Sequence, residues 1–146
     1  VYADDSELLE KALNILRWSL EIGWDKEYGG IYYFRDVYGR PCEQLEHDMK
    51  LWWVHNEALI ATLFASNLTG DPYYEEWYEK IHEYVFSHFP DTEYGEWYGY
   101  LHRDGSVSHE QKGSLWKGPY HLPRAMMLCE QILIAMEKKE KARNLL

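Results

Sequence analysis

Residues 50–70 have the sequence KLWWVHNEALIATLFASNLTG, a run of apolar and helix-favouring side chains that Gly70 closes. The run predicts a helix over Lys50–Leu68, because glycine commonly follows the last turn of a helix. Side chains three, four or seven positions apart share one face of a helix. Lys50, Trp53 and Glu57 therefore form a single row on the predicted helix.

Glu57 is the residue in this row that most needs an explanation. Ile60 and Phe64 continue the row, so we expect the Glu57 carboxylate to point into the protein. A buried carboxylate requires partners and often has a shifted pKa, which makes Glu57 a candidate site residue. The alternative is a structural glutamate that satisfies the backbone of a neighbouring loop. His55 lies on the other side of the helix, where a packing or surface role is expected.

The rest of the chain predicts three further helices with hairpins between them. Glycine, proline and capping signals place these helices at Ser6–Ile22, from Asp71-Pro72 to about His88, and from near Pro123 onward. Hairpin-like stretches are predicted at Gly30–Phe34, with a turn at Asp36–Gly39, and at Trp97–His102 with Val107–Glu110 around Asp104-Gly105. Helix pairs joined by such loops favour an all-α protein of the α/α-barrel or α-solenoid type. No linker divides the chain, so we expect one unit over residues 1–146.

Composition excludes several classes of partner and hints at another. The chain has 25 acidic against 15 basic residues and a formal net charge of −10, which argues against nucleic acid and anionic membrane surfaces. No stretch approaches the ~20 apolar residues of a membrane span. Cys42 and Cys129 match no metal or redox spacing, which predicts reduced thiols in a cytoplasmic protein. The 7 Trp and 13 Tyr suit either sugar stacking or packing between helices.

A second candidate site lies in the stretch Lys117-Gly118-Pro119-Tyr120-His121-Leu122-Pro123-Arg124. His121 falls at the start of the fourth helix, where the positive dipole end disfavours imidazolium and keeps a neutral base available. Arg124 follows one turn later and could hold a hydroxyl, a carboxylate or a developing oxyanion. The alternative for His121 is a simple cap at the helix start.

Other catalytic signatures are missing from the sequence. It contains no glycine-rich phosphate loop, nucleophile elbow, His-x-x-x-His or Cys-x-x-Cys spacing. What remains is proton transfer by His and Glu in an aromatic-lined cavity. That chemistry suits sugar isomerisation, or glycoside hydrolysis if a second carboxylate such as Glu96 converges with Glu57.

Three blocks of this sequence resemble one enzyme family in the same order. They are Lys50-Leu51-Trp52-Trp53-Val54-His55-Asn56-Glu57-Ala58, Glu93-Tyr94-Gly95-Glu96-Trp97-Tyr98-Gly99-Tyr100-Leu101 and Lys117-Gly118-Pro119-Tyr120-His121-Leu122-Pro123-Arg124. The blocks resemble segments of the N-acylglucosamine 2-epimerase (renin-binding protein) family. The similarity extends from Gly23 to about Leu133.

The resemblance implies a fold, a reaction and roles for particular residues. The family folds as an (α/α)6 barrel, requires no metal, and epimerises or isomerises sugars at C2 with two histidines as acid and base. Its pattern implies N-acyl-D-glucosamine and N-acyl-D-mannosamine interconversion, with mannose or cellobiose as alternative substrates. The implied catalytic residues are His121 and Glu57; the implied substrate-binding residues are Arg124, Trp53, Trp116, Lys117 and Lys50.

The chain departs from the family pattern in one respect. The family's other catalytic histidine lies in an upstream Gly-His-x-x-Glu-type segment, and neither His47 nor His55 matches it. We therefore expect a partial barrel of about four helices that is inactive alone and forms a homo-oligomer or pairs with a complementing N-terminal chain. Some relatives imply a nucleotide such as ATP as an allosteric effector. A non-catalytic sugar-binding or protein-binding fragment is the remaining alternative.

Overall fold

The computed structural model of the chain describes residues 5–145, which form four helices and one two-stranded sheet. The elements in chain order are α1 (Ser6–Gly23), β1 (Lys50–Leu51), α2 (Trp52–Thr69), α3 (Pro72–His88), β2 (Tyr100–Leu101) and α4 (His121–Arg143). This arrangement confirms the all-α prediction with short β elements in the loops.

Helix α2 is the centre of the fold. It packs against both α3 and α4, and its buried face carries Leu59 and Leu63. Gly70, in the left-handed region with φ 69°, ends α2. The Asp71 side chain then accepts the N–H of Tyr73 at 3.0 Å and caps α3. The sequence signals at this turn predicted both helix ends to within one residue.

The start of α2 differs from the prediction. Lys50 and Leu51 form the antiparallel strand β1, in which Lys50 pairs with Leu101 and Leu51 with Tyr100. Helix α2 begins only at Trp52, so Lys50 does not belong to the helical row of Trp53 and Glu57. A partner strand 50 positions away in sequence gives no local signal, which is why helix periodicity alone placed Lys50 wrongly.

The two predicted hairpins have different outcomes. The Gly30–Phe34 stretch forms no regular strand; Ile31 makes an isolated bridge to Trp24. A Cβ on Gly30, whose φ is 73°, would lie 2.5 Å from Cζ of Tyr84, so this loop packs closely on α3. The turn at Asp104-Gly105 does form, with the His102 N–H donating to the Ser106 carbonyl at 2.8 Å. The predicted second strand does not form, because Val107 makes only an isolated bridge to Leu101 and β2 pairs with β1.

Three further features of the described residues bear on function. In the range 5–145, none of the helices combines the length and the apolar character that a bilayer crossing demands. Cys42 and Cys129 are both free thiols. Helix α4 begins at His121, two residues before the predicted start near Pro123, so His121 occupies its first turn.

Candidate active site

A cavity of about 600 Å³ opens where α2, α4 and the small sheet begin or end. Its wall is mainly aromatic, with one imidazole and one carboxylate. The lining residues are Tyr33, Glu46, Leu51, Trp52, Trp53, Tyr100, Trp116 and His121. Aromatic rings with polar edges suit a ligand that has both C–H faces and hydroxyl groups.

His121 is the titratable group at the cavity wall that the sequence predicted. Its Nδ1 lies 2.8 Å from Oε1 of Glu57, although 64 positions separate the two residues. The Trp53 ring centroid lies 5.9 Å from the imidazole. With Nδ1–H donating to the carboxylate, Nε2 is the nitrogen that can exchange a proton with a molecule in the cavity.

Glu57 connects His121 to Arg124. The second carboxylate oxygen of Glu57 accepts a hydrogen bond from the Arg124 guanidinium. Burial on its own would raise the pKa of Glu57, but the hydrogen bonds from Arg124 and His121 lower it, so the side chain is an anion. The side chain of Glu57 is 37% exposed, and it does not belong to the cavity lining. Its geometry is that of a group that orients the imidazole.

Arg124 lies on the other side of the Glu57 carboxylate from His121, and two contacts hold its guanidinium. Its guanidinium carbon lies 5.5 Å from the Tyr120 ring centroid, and hydrogen bonding to Glu57 raises its pKa. The structure thus brings His121, Glu57 and Arg124 together as one hydrogen-bonded unit at the edge of the cavity. Sequence analysis had predicted each of the three separately.

Lys50 is not in the cavity, contrary to the predicted substrate contact. Its side chain is 0% exposed, and Nζ lies 3.0 Å from Oδ2 of Asp25 and 3.9 Å from the Tyr32 ring centroid. Burial lowers the pKa of Lys50 to about 8, against the opposing influence of Asp25. The same Asp25 oxygen accepts a hydrogen bond from Arg103 Nε at 3.0 Å. Lys50 is therefore part of a buried ion network, because strand β1 turns its side chain away from the α2–α4 cavity.

Lys117 also lies outside the cavity, where the sequence predicted a contact with substrate. Its side chain is 3% exposed, with Nζ 3.0 Å from Oε1 of Glu96 and 2.9 Å from the Lys112 carbonyl oxygen. Neither Lys117 nor Glu96 contributes to the cavity lining. Trp116, in contrast, lies at the rim with 78% of its surface exposed and does line the cavity.

Sequence reasoning missed five residues of the cavity wall, which are Tyr33, Glu46, Leu51, Trp52 and Tyr100. Tyr100 enters through strand β2 and packs edge-on against Trp52 at 5.2 Å between ring centroids. Tyr33 packs edge-on against Trp53 at 6.1 Å. Glu46 lies in the loop before β1 and carries no sequence signal of its own. The spacing of Tyr98 and Tyr100 around Gly99 could have indicated two tyrosines on one face of a strand, because side chains two positions apart point the same way.

The part of the chain that the structure describes contains no cluster of three His, Cys, Asp or Glu side chains arranged to hold a metal ion. The arrangement of His121, Glu57 and Arg124 supports proton transfer by an imidazole whose orientation is fixed by a carboxylate.

A sequence profile described as N-acylglucosamine 2-epimerase (GlcNAc 2-epimerase) matches residues 2–141. The chain belongs to this family. Over 114 residues the chain is 49% identical to the N-acylglucosamine 2-epimerase of Mus musculus, an alignment covering 78% of this chain and 27% of that protein. The chain is also 30% identical over 125 residues to the D-mannose isomerase of Pseudomonas cannabina pv. alisalensis, covering 83% of this chain and 28% of the relative.

Solved structures give the same fold assignment for this member of the N-acylglucosamine 2-epimerase family. A D-mannose isomerase crystal structure superposes with a TM-score of 0.77 at 25% identity, covering 90% of this chain and 33% of the other. Cellobiose 2-epimerase from Bacillus thermoamylovorans B4167 gives a TM-score of 0.69 at 24% identity, covering 88% and 31%. These neighbours are (α/α)6 barrels. The chain therefore has the fold of part of such a barrel and spans about a quarter to a third of its relatives' length.

Proposed function

We propose that the protein carrying this chain interconverts N-acyl-D-glucosamine and N-acyl-D-mannosamine by proton transfer at C2. The observation that carries the proposal is the Nδ1–Oε1 hydrogen bond of 2.8 Å between His121 and Glu57 at the edge of an aromatic cavity. His121 takes or returns the C2 proton through Nε2. Glu57 holds the ring in one tautomer, and Arg124 fixes the Glu57 carboxylate.

The substrate follows from the relatives rather than from the cavity alone. Identity is 49% to an N-acylglucosamine 2-epimerase and 30% to a D-mannose isomerase, which favours the N-acylated sugar. The aromatic side chains Trp53, Trp116, Tyr33 and Tyr100 form walls on which the C–H faces of a pyranose stack. Arg124 and Glu57 lie behind the imidazole, outside the cavity lining.

Glycoside hydrolysis is a weaker candidate on this geometry. It requires two carboxylates at either side of a glycosidic bond, and Glu96 was the sequence candidate for the second. The Glu96 carboxylate is instead occupied by the ammonium group of Lys117 and the N–H of Trp97, at 3.0 and 2.7 Å.

Isotope exchange tests the proposed reaction. The complete protein is incubated with N-acetylglucosamine in heavy water, with mannose and cellobiose as parallel substrates. We expect deuterium at C2 and N-acetylmannosamine as product. Exchange only with mannose or cellobiose would reassign the substrate. Sugar binding without exchange would reassign the protein as a binding module, and release of reducing ends from an oligosaccharide without C2 exchange would favour hydrolysis.

We further propose that other helices of the same barrel cover two apolar faces of this chain. Ile15, Trp18 and Ile22 of α1 are each 42–60% exposed and line a groove of about 530 Å³ with Phe34 and Val37. A second groove of about 540 Å³ between α3 and α4 has Phe86, Leu133 and Ile134 along it. The barrel neighbours are about three times as long as this chain, which supports helices of that barrel as the occupant.

This proposal also accounts for catalysis by the complete protein. The second proton-transfer group, on the opposite face of C2, comes from the additional barrel helices. Light scattering after gel filtration tests whether the two apolar faces need other helices to cover them. We expect this chain alone to self-associate and to show no epimerisation, and a stable, cooperatively folding 17.5 kDa monomer at micromolar concentration would contradict it. The two free thiols support a reducing compartment, and we propose a cytoplasmic location.

A further inference from the structure

The segment 112–120 carries a cavity residue without belonging to a helix or strand. Trp116 lies in it, at the cavity rim, and its last residue precedes His121 at the start of α4. Because the segment has no regular structure of its own, its position depends on contacts to other parts of the molecule. Two of its lysines make those contacts.

Lys117 makes the buried contact. Its ammonium group lies 3.0 Å from Oε1 of Glu96 and 2.9 Å from the Lys112 carbonyl, and it lies 5.9 Å from the Trp52 ring centroid. A charge in such a place is tolerated only when it is paired and hydrogen-bonded. These bonds occupy the group away from the cavity, so Lys117 does not itself reach a ligand there.

The surroundings of Lys117 are shaped around it. A Cβ on Gly99 would lie 2.7 Å from Cδ of Lys117, so the lysine stem uses the room that the glycine leaves. Glu96 has φ 65°, a left-handed conformation that is costly for a residue with a side chain. Burial on its own would raise the pKa of Glu96, but the Trp97 N–H and Lys117 lower it, so Glu96 is charged.

The other end of the segment is held by Lys112. Its Nζ donates to the Gly95 carbonyl at 2.8 Å and forms an ion pair with Asp91. Within the segment, Oγ of Ser114 accepts the N–H groups of Trp116 and Lys117 at 3.2 and 3.0 Å. The segment is thus a closed turn that two lysines attach to the turn at residues 91–97.

We propose that Lys117 is a positioning residue, whose ion pair with Glu96 sets the positions of Trp116 and His121 in the cavity. The proposal rests on the proposed function, since the effect on reaction passes through these two side chains. Trp116 is the residue immediately before Lys117, and His121 follows it by four positions, so a shift of the lysine backbone displaces both. A shift of about 1 Å in a catalytic group can lower a rate by about a hundredfold.

The test uses the complete protein with Lys117→Met, which nearly keeps the length of the side chain and removes its charge. We expect kcat/KM to fall about ten- to hundredfold, with KM rising through Trp116 and kcat falling through His121. Amide hydrogen exchange within 112–118 is expected to accelerate, while exchange in the middle of α2 is unchanged. Lys139→Met is the matched control, because Lys139 binds Asn67 at 2.8 Å near the far end of α4.

Glu96 variants separate positioning from plain stability. Glu96→Gly relieves the backbone conformation but removes the ion pair, so we expect the same kinetic loss and fast exchange with a smaller loss of thermal stability than in Glu96→Gln. A role in stability alone predicts normal kinetics for Glu96→Gly. We expect Lys117→Met combined with Glu96→Gln to be no worse than either alone, since both remove one contact. If Lys117→Met does not fold, the two Glu96 variants alone decide the outcome.

Two results would overturn the proposal. One is Glu96→Gly and Glu96→Gln with kcat and KM within twofold of wild type; the other is slow exchange at 112–118 in every variant. Hydrogen exchange keeps this outcome distinct from failure of the proposed function. If the wild-type protein exchanges no C2 proton of any tested sugar, the proposed function fails while the exchange data still show whether Lys117 and Glu96 fix the segment.

Discussion

Asp25 and Glu57 are both carboxylates that bridge two nitrogen-bearing side chains, yet they occupy opposite environments. Asp25 binds Lys50 and Arg103 and is 1% exposed, whereas Glu57 binds His121 and Arg124 and is 37% exposed. The Asp25 cluster joins the loop after α1, strand β1 and the loop after β2. The Glu57 cluster joins α2 to α4 beside the cavity.

The two clusters differ in whether one of their groups can transfer a proton to a molecule in the cavity. Burial on its own would raise the pKa of Asp25, but hydrogen bonds from Arg103, the Glu27 N–H and Lys50 hold it well below the usual carboxyl range. Both cations that bind Asp25 are charged at neutral pH, although burial brings the pKa of Lys50 down to about 8, and neither lines the α2–α4 cavity. Glu57 holds an imidazole that lines a cavity. Similar carboxylate contacts thus give structural rigidity in one place and a candidate acid–base group in the other.

The sharpest contrast comes from His121→Ala in the complete protein. Loss of an acid–base group typically lowers a rate about 10²- to 10⁴-fold, and we expect C2 exchange to fall by that much. The melting temperature should stay close to that of wild type, because His121 is partly exposed in the first turn of α4. Exchange measured by deuterium incorporation checks this; more than a few per cent of residual exchange would remove His121 from the mechanism.

Asp25→Asn is expected to give the opposite profile. The substitution leaves the buried Lys50 ammonium without its anion, and breaking a buried ion pair costs about 3–5 kcal/mol of unfolding free energy. Urea denaturation of the complete protein measures the loss. The control is Asp25→Asn combined with Lys50→Met, which removes both charges and should recover part of the stability. A destabilisation below about 1 kcal/mol for Asp25→Asn, the range of exposed pairs, would place this cluster with the surface ion pairs.

Glu57→Gln tests whether the Glu57 carboxylate acts through His121. The amide keeps the size of the side chain but loses the charge that binds Arg124, so we expect kcat/KM to fall about ten- to hundredfold, as for a lost charged hydrogen bond. The stability loss should be under about 1 kcal/mol, because a third of the side chain is exposed. Parallel kinetics and thermal denaturation separate the two effects.

His55→Ala is the matched variant on the other face of α2. His55 is fully buried; its Nε2 accepts the Ile31 N–H at 2.9 Å and its Nδ1 donates to the Leu51 carbonyl at 2.7 Å. Burial lowers the pKa of His55 to about 4, so it stays neutral. This variant should lose stability by leaving the buried Ile31 N–H without its acceptor. An equal, selective loss of activity in His55→Ala would show that the wrong helix face has been assigned to the site.

The same two clusters mark how far sequence reasoning reaches. A proline- and glycine-rich approach placed His121 at a helix start, since that signal is local. Helical spacing predicted an inward row at Glu57, but Glu57 is 37% and Phe64 54% exposed, and the buried face of α2 is the one with His55 and Leu59. Lys50 was assigned to the helix face of Glu57 because its strand partner Leu101 is remote in sequence. Lys117 was assigned to the cavity because nothing in its own neighbourhood indicates Glu96, 21 positions earlier. Long-range ion pairs decide where these two lysines point, and spacing does not encode them.

Acid denaturation gives the smallest expected difference between the clusters. The pKa values of Asp25 and Glu57 are both lowered in the folded protein. Each group therefore contributes stability that is fully present above the ordinary carboxyl pKa of ~4 and is lost as the pH falls through the lowered folded value. Asp25 has the larger lowering, so Asp25→Asn should flatten the fall of unfolding free energy between about pH 5 and 3 more than Glu57→Gln does. Urea titrations at several pH values measure these slopes, with Glu10→Gln on the exposed face of α1 as the control. Glu57→Gln could instead flatten the slope as much as Asp25→Asn does. The more exposed carboxylate would then be held as tightly as the buried one. The contrast between a structural and an acid–base cluster would have to rest on the cavity alone.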